Sequence, residues 1–429
     1  MEGATLWACG RALFGLFVLA LSGCATGDSA AWQAYRRGDH AQAFRLWAPV
    51  AEAGDPEAQF LLGLMLEEGR GLAQRPGTAA EWYRRAAEQG HAAAQNNLGL
   101  LLYAGAGGPA VPDEAAAWFD LAAAQGFAPA MTNRGVLLLF GHGVEADAVA
   151  ACALLERAAA AGDLKAARWL GTVYREGLAG AIDDVEARRQ FTAAAQGGDA
   201  TAAYQLGLMH LRGEGGASDP AAAREWFIAA AQQGVALAQL ALGWMHATGR
   251  GGPTDQVAAA AWHGRAARQG LAAAQAALGL MHARGVGVSQ NWAEARYWTS
   301  LAAEQGLALA QYNLALLQSR TADEPGDPGG ELELAAAWTR LAAEQGLPVA
   351  QTKLARLYEL GRGVEQDAVE AYRWYAVSAS AGDPAAASGM RRVAAALDGP
   401  RLERAEALAE DWRRQHGERQ QVQRAAPAR

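Results

Sequence analysis

The sequence predicts an all-α protein, an α/α superhelical solenoid of helix–turn–helix repeats. Three observations lead to this prediction. The sequence repeats about every thirty-six residues, about a quarter of its 429 residues are alanine, and its 51 glycines recur at fixed places in the repeat. Alanine favours helices, whereas glycine commonly ends them. Their regular alternation therefore predicts many short helices of similar length.

Nine complete repeats span residues 55–382, and each ends at a glycine. A half repeat at residues 31–54 precedes the array, and capping helices at residues 383–415 follow it. The repeats are 55–90, 91–126, 127–162, 163–198, 199–234, 235–270, 271–306, 307–346 and 347–382. Because each repeat of such an array contacts only its neighbouring repeats, we expect one continuous array rather than the three domains that the length alone suggests.

Each repeat has the pattern of a first helix, a glycine-rich turn and a second helix. Position 0 denotes the glycine of the Leu-Gly pair in the first helix, Gly99 for example, or the alanine that replaces it in the last two repeats. Alanine stands at position −5 in all nine repeats, and tryptophan stands eight residues before the closing glycine in seven. The small residues share one helix face, and we expect the tryptophans to fill the space beside them.

The segments YREGLAG, ARGVGV, ELGRGVEQD and WYRRAAEQG show this pattern most clearly. The pattern resembles the SEL-one-like repeat family (SLR), which is related to tetratricopeptide repeats, from Trp32 to about Leu397. The period is two residues longer than the 34 of tetratricopeptide repeats. The resemblance implies an α/α superhelix that binds proteins or holds assemblies together, usually without catalysis.

Residues 1–23 read as a targeting signal. Arg11 precedes an apolar run from Ala12 to Leu21 that is too short to span a bilayer as a helix. The motif Leu21-Ser22-Gly23-Cys24 then resembles the lipobox of bacterial lipoproteins. The resemblance implies cleavage before Cys24, lipidation of Cys24 and sorting to the outer membrane, with residues 24–30 as a short linker. The alternative is an ordinary secretory signal with a chance cysteine.

Several functional classes are disfavoured. A pI near 5.6 without a basic block argues against nucleic acid as a partner. We find no catalytic motif and predict no enzyme activity, no cofactor and no small-molecule substrate. His210, His246 and His282 share one repeat position, but equivalent atoms of consecutive repeats lie on the order of 10 Å apart, so we predict no metal site. We interpret Cys152 as a buried small apolar residue.

The first helices also present a second face, which carries positions −3, +1 and +4. In helix-pair solenoids the first helices usually line the concave side, where partners bind. Aromatic and arginine side chains at these positions are typical of interface anchors. We predict that this concave face binds a protein; the alternative is that some of these side chains pack between repeats. The candidate residues are Phe60, Asn96, Tyr103, Arg168, Tyr204, Trp244, Tyr312 and Arg356.

Two segments depart from the repeat pattern. The eighth repeat has a four-residue insertion with Asp323, Glu324, Asp327 and Glu331, which we interpret as a solvated loop; a contact or a cation site is the alternative. The polar tail at residues 416–429 is predicted to be disordered.

Together these features predict a non-catalytic scaffold or adaptor of the bacterial cell envelope, held at the outer membrane by its lipid and facing the periplasm. A polysaccharide-secretion scaffold and a surface protein that contacts a host are alternatives. A cell-wall hydrolase or a β-lactamase is less favoured, because no catalytic constellation appears.

Overall fold

The computed structural model describes residues 30–322 and 330–425, which form 22 α-helices and no β-strand. The prediction of an all-α helical solenoid is therefore confirmed. Within these ranges no helix is both long and apolar enough to cross a lipid bilayer. The predicted signal segment 1–23, Cys24, nearly all of the linker 24–30, and Asp323, Glu324 and Asp327 of the insertion lie outside the described residues.

Two helices, α1 (Ala30–Arg36) and α2 (His40–Glu52), precede nine helix pairs. The first helices of the pairs are α3 (Pro56–Glu68), α5 (Ala92–Ala104), α7 (Ala128–Phe140), α9 (Leu164–Glu176), α11 (Ala200–Arg212), α13 (Ala236–Thr248), α15 (Ala272–Arg284), α17 (Ala308–Ala322) and α19 (Pro348–Leu360). The second helices are α4 (Pro76–Glu88), α6 (Pro112–Ala124), α8 (Ala148–Ala160), α10 (Asp184–Gln196), α12 (Pro220–Gln232), α14 (Gln256–Arg268), α16 (Trp292–Glu304), α18 (Glu331–Glu344) and α20 (Ala368–Ser380). The helices α21 (Pro384–Ala394) and α22 (Gly399–Ala425) follow.

The chain divides into two compact units at Asp219. Unit 1 contains α1 to α11, and unit 2, which begins at Pro220, contains α12 to α22. Within each unit a first helix packs against the second helix of its own repeat and against that of the preceding repeat.

The glycine-rich turns end the first helices and set the contact between repeats. Gly105 follows α5 with a φ of 65°, a left-handed conformation that favours glycine, and its N–H donates to the carbonyl of Leu101. Gly107 also has a positive φ, and a Cβ built on it would lie 2.6 Å from Cα of Gly77, in the first turn of α4. The second glycine therefore allows the turn to touch the backbone of the preceding repeat.

In six of the nine repeats the core is built around position 0. The side chain seven residues before the closing glycine lies directly on position 0, as Phe119 does on Gly99. The same arrangement pairs Tyr83 with Gly63, Leu155 with Gly135, Phe191 with Gly171, His263 with Gly243 and Thr299 with Gly279.

The tryptophans do not fill this space, contrary to expectation. Trp118 precedes Phe119 and is only partly buried. Neighbouring residues point about 100° apart around a helix, so each tryptophan is turned away from position 0. Trp298, for example, packs against a buried cluster of Ala266, Ala267, Ala274 and Leu278.

A buried glutamine at position −4 connects three helices. Nε2 of Gln95 in α5 donates to the carbonyl of Ala87 at the end of α4 (3.0 Å), and its Oε1 accepts from Nε2 of Gln125 after α6 (2.8 Å). These bonds satisfy a polar group that burial would otherwise penalise. Gln59, Gln239, Gln275 and Gln311 make the same pair of bonds.

The C-terminal cap extends beyond its predicted end. Helix α22 continues to Ala425, so residues 416–425, expected to be disordered, are helical. The segment has two arginines, three glutamines and one glutamate, which favour helix, and no proline before Pro427. Helix α22 packs on α20, where the ring centroids of Trp412 and Trp374 are 5.9 Å apart.

Candidate protein-binding face

The candidate residues lie on one side of the first helices. Positions −6, −3, +1 and +4 are three or four residues apart and therefore share a side of the helix, turned away from the buried alanine at position −5. We call this side the first-helix face. Its exposure differs between the two units.

Phe60 and Asn96 are covered by the neighbouring repeat. Phe60 is 3% exposed, and its ring stacks on that of His91 with centroids 4.8 Å apart. Asn96 is 1% exposed, and its Oδ1 accepts from Nδ2 of Asn133 (2.8 Å). Their burial removes both residues from the predicted binding surface.

Tyr103 and Arg168 link consecutive repeats and are partly buried. The hydroxyl of Tyr103 is 2.6 Å from Nδ1 of His142 in the next repeat. Nε of Arg168 donates to Asp199 (3.0 Å), whose other carboxylate oxygen caps α11 through the N–H of Ala202. Tyr103 and Arg168 therefore pack between repeats, which was the alternative to a free binding surface.

Tyr204 completes the candidate set of unit 1. It is partly buried, and burial raises the pKa of its hydroxyl. Nearby, Nε of Arg175 forms an ion pair with Glu214 (3.2 Å), and its Nη1 donates to Gln205 (2.8 Å). The face of unit 1 therefore has many of its polar groups bound within the chain.

The candidate residues of unit 2 are more accessible. Trp244 is 42% exposed, and the guanidinium of Arg250 lies 5.5 Å from the centroid of its ring. Arg356 is exposed. Tyr312 is partly buried, and burial raises the pKa of its hydroxyl.

Five exposed apolar residues besides Trp244 were missed by the sequence analysis. With Trp244 they form a set that we call the unit-2 stripe, at positions −6 and +1 of α13, α15, α17 and α19. Its members are Leu237 (46% exposed), Trp244 (42%), Leu280 (36%), Leu309 (52%), Leu316 (40%) and Val349 (47%). The seven-residue spacing between Leu237 and Trp244, repeated between Leu309 and Leu316, is the signal that could have identified them.

The same two positions are different in unit 1. At position +1, Leu64 and Val136 are buried. At position −6, Glu57, Lys165 and Thr201 are charged or polar. The exposed apolar stripe is therefore a feature of unit 2.

Two of the three histidines at the shared repeat position, His210 and His246, each contact an arginine of their own unit. Arg188 donates to Nδ1 of His210 (2.7 Å) in unit 1, and Arg224 donates to Nδ1 of His246 (2.9 Å) in unit 2. Burial and the adjacent guanidinium lower the pKa of both imidazoles. Across the described ranges, no group of three His, Cys, Asp or Glu side chains is placed to hold a metal ion.

Cys152 is partly buried in a cleft of unit 1. The cleft has a volume of about 510 Å³ and lies between α8 and the turn after α9. Sγ of Cys152 is 3.7 Å from Oε1 of Glu156, which also accepts from the hydroxyl of Tyr174 (3.1 Å). Burial and Glu156 raise the pKa of the thiol. A raised pKa lowers the fraction of the nucleophilic thiolate.

The sequence profile of the Sel1 repeat matches eight segments of this chain: 56–91, 92–127, 128–163, 200–235, 236–271, 272–307, 308–347 and 348–383. The chain belongs to the Sel1 repeat family. Proteins of this family generally mediate protein–protein interactions, and their solenoid is typically a non-catalytic scaffold.

The fourth repeat is the one without a match. At the two turn places held by Gly105 and Gly107 in the second repeat it has Gly177 and Ala179, and Gln190 stands in place of tryptophan. The structure nevertheless forms its two helices, α9 and α10, and Phe191 lies on Gly171 as in the matched Sel1 repeats.

Three solved structures are similar to this Sel1 repeat protein. A Sel1 repeat protein from Oxalobacter formigenes is 32% identical, covers 70% of this chain and 93% of its own, and has a TM-score of 0.56. A protective antigen of uropathogenic Escherichia coli with an SLR fold is 26% identical, with coverages of 90% and 98% and a TM-score of 0.46. A putative Sel1 repeat protein from Klebsiella pneumoniae is 24% identical, with coverages of 47% and 98% and a TM-score of 0.35. No curated protein matches.

Proposed function

We propose that this Sel1 repeat protein is a non-catalytic scaffold of the bacterial cell envelope that binds a partner protein on its first-helix face. The unit-2 stripe is the observation that carries the proposal. It places apolar side chains that are 36–52% exposed on consecutive repeats of a fold whose family generally mediates protein–protein interaction. Exposed apolar side chains repeated along one side of consecutive helices commonly mark a site that a partner covers.

The second part of the proposal is a lipid anchor on Cys24. Its support is the sequence Leu21-Ser22-Gly23-Cys24 after a short apolar run. Cleavage before Cys24 and lipidation would hold the repeats at the outer membrane on the periplasmic side.

A Cys24→Ala variant tests the anchor. Without the thiol no lipid can be attached, so we expect the protein to leave the membrane fraction when cells are fractionated and blotted. Cys152→Ala is the matched control and should stay with the membranes. Membrane attachment of Cys24→Ala equal to that of the unaltered protein would contradict the anchor.

Crosslinking in intact cells followed by affinity purification of the full chain tests the scaffold. We expect recovery of one or a few defined envelope proteins in amounts comparable to the bait. The purified protein is then assayed on cell-wall fragments and β-lactams. Turnover of such a substrate, together with recovery of no partner, would overturn the proposed scaffold function.

A further inference from the structure

We infer that the unit-2 stripe binds an amphipathic helix of the partner protein, with apolar side chains on one face and carboxylates along one edge. The inference rests on the proposed scaffold function and specifies the chemistry of the partner. Its first support is the position of the stripe, which has two members on each of α13 and α17 and one on each of α15 and α19.

The spacing of the stripe suits a helix lying across these four helices. Equivalent positions of consecutive first helices lie on the order of 10 Å apart, and two turns of an α-helix rise about 10.8 Å. A partner helix crossing them would therefore place one apolar residue over each first helix at a heptad-like interval. Each stripe residue is about half covered by its own chain, and the other half of its surface is open to the partner's side chains.

Arginines lie beside the stripe, and the acidic edge of the partner helix would face them. Arg284 and Arg320 stand four residues after Leu280 and Leu316, and therefore on the same side of α15 and α17. Arg356 occupies position +1 of α19 and is exposed. Arg320 lies 4.0 Å from the centroid of the Trp292 ring, a contact that leaves its positive charge in place.

Negative charge is nearly absent from the four helices. The sequences of α13, α15, α17 and α19 contain one acidic residue, Glu359. Its two carboxylate oxygens accept from Nε (2.6 Å) and Nη2 (2.8 Å) of Arg392 in α21. An apolar surface with a basic edge and one neutralised carboxylate complements an apolar helix with an acidic edge.

The same charges disfavour two other occupants. A second copy of this chain packed stripe to stripe around a two-fold axis would bring one surface carrying Arg284, Arg320 and Arg356 against another, and like charges repel. An anionic lipid surface would satisfy the arginines. It would not explain why half-covered apolar side chains recur on consecutive repeats.

Photocrosslinking from defined positions of the full-length protein in its native cells tests the inference. A photoreactive phenylalanine analogue replaces Leu309 or Leu237, and Thr201, an exposed residue at position −6 of unit 1, serves as the matched control position. We expect Leu309 and Leu237 to crosslink to one segment of one partner. That segment should have apolar residues at heptad spacing and Asp or Glu along one edge, and Thr201 should not reach it.

Other crosslinking results would overturn the inference. Crosslinks from the stripe to a second copy or to phospholipid, or to a segment without an acidic edge, are incompatible with it. Crosslinks to a protein from Thr201 alone would overturn the inference but leave the scaffold function intact. Crosslinks to no protein from any position would count against the scaffold itself.

A binding measurement provides the second test. The probe is a synthetic 21-residue amphipathic helix with leucine at heptad positions and glutamate along one edge; a second peptide carries lysine there. We expect the glutamate peptide to bind at least tenfold more tightly than the lysine peptide. Leu309→Glu and the double variant Arg284→Glu, Arg320→Glu should each weaken binding tenfold or more, and Thr201→Glu should not, with folding of each variant checked by circular dichroism. Equal binding of the two peptides, or no effect of Leu309→Glu, would overturn the inference.

Discussion

The ring of Phe119 lies on the backbone of Gly99, so closely that a Cβ on this glycine would be 2.7 Å from Cε1 of the ring. Glycine in a helix interior costs about 1 kcal/mol relative to alanine. The close contact explains why a helix otherwise rich in alanine has glycine at this place. Gly264, in the middle of α14, shows the opposite case, because a Cβ there would have its nearest neighbours at 3.7 and 4.0 Å.

We therefore expect opposite effects from the same substitution at two helical glycines. Gly99→Ala should lower the free energy of unfolding by about 1–2 kcal/mol, since overpacking outweighs the gain in helix propensity. Gly264→Ala should raise it by about 0.5–1 kcal/mol. Thermal unfolding followed by circular dichroism measures both. A stabilising Gly99→Ala would contradict the packing described for position 0.

The glutamine links predict energetic coupling between neighbouring helices. Gln95→Met leaves the amide of Gln125 without its partner and should cost about 1–2 kcal/mol. The third repeat has methionine and alanine at the equivalent places, Met131 and Ala161. The double variant Gln95→Met, Gln125→Ala should therefore be less destabilised than the sum of the two single variants. Denaturant unfolding of the unaltered protein, the two single variants and the double variant gives the coupling free energy. Strict additivity would mean that the bond between Gln95 and Gln125 contributes no coupling.

The repeat length, the helix pairs and the small residues of the core could all be predicted from the sequence, because nine aligned copies reveal a pattern that one copy would not. Which residue of the second helix lies over position 0 could not be predicted. Trp118 is larger than Phe119 and recurs more regularly, and only the direction of each side chain around α6 separates them. Periodicity gives a helix face to within about a residue, whereas this contact depends on a difference of one residue.

The binding face was predicted less well, for a related reason. Position −3 lies at the border between the buried and exposed sides, so whether the next repeat covers it depends on the side chains there. Phe60 and Asn96 are covered, while Arg168 is only partly buried. Leu309 stands at position −6, outside the positions −3, +1 and +4 that the sequence analysis assigned to this face, and Leu316 stands at position +1 but was not among the candidates. Their exposure depends on packing between repeats, which a single repeat pattern does not contain.

The start of α21 should become less stable in acid. Oδ2 of Asp383 accepts from the hydroxyl of Thr352 (2.6 Å), and its Oδ1 caps the helix through the N–H of Ala385 (2.9 Å). The bond from Thr352, followed by the backbone N–H groups, lowers the pKa of this carboxyl below its ordinary 3.8. The stabilisation is thus present above that value and is lost as the pH falls through the lower pKa of the folded state.

Asp383→Ala should cost about 1–2 kcal/mol at pH 7 by removing this cap. Thr352→Val, which keeps the cap, should cost less. Thermal melts of the two variants and the unaltered protein compare them. If Thr352→Val proves the more harmful change, the cap is not the main contribution of Asp383.

His263 gives the chain a stability that depends on pH near neutrality. It occupies the place of Phe119 and Phe191, on Gly243, and is 5% exposed. Burial lowers the pKa of its imidazole from 6.5 to about 4. Between these values the unfolded chain binds a proton that the folded chain does not, so stability falls as the pH decreases. The loss begins near pH 6.5 and approaches about 3 kcal/mol near pH 4.

His263→Phe removes this titrating imidazole. It gives the sixth repeat a phenylalanine at the place where the second and fourth repeats have Phe119 and Phe191. At pH 7 we expect the variant to be within about 1 kcal/mol of the unaltered protein. At pH 5 it should be relatively more stable by about 2 kcal/mol, because the titration of His263 no longer opposes folding. Thermal melts of both proteins at half-unit intervals from pH 7.5 to 4.5 measure the difference. Every other titrating group is common to the two proteins, so parallel curves would show that the imidazole is not kept neutral by burial on Gly243.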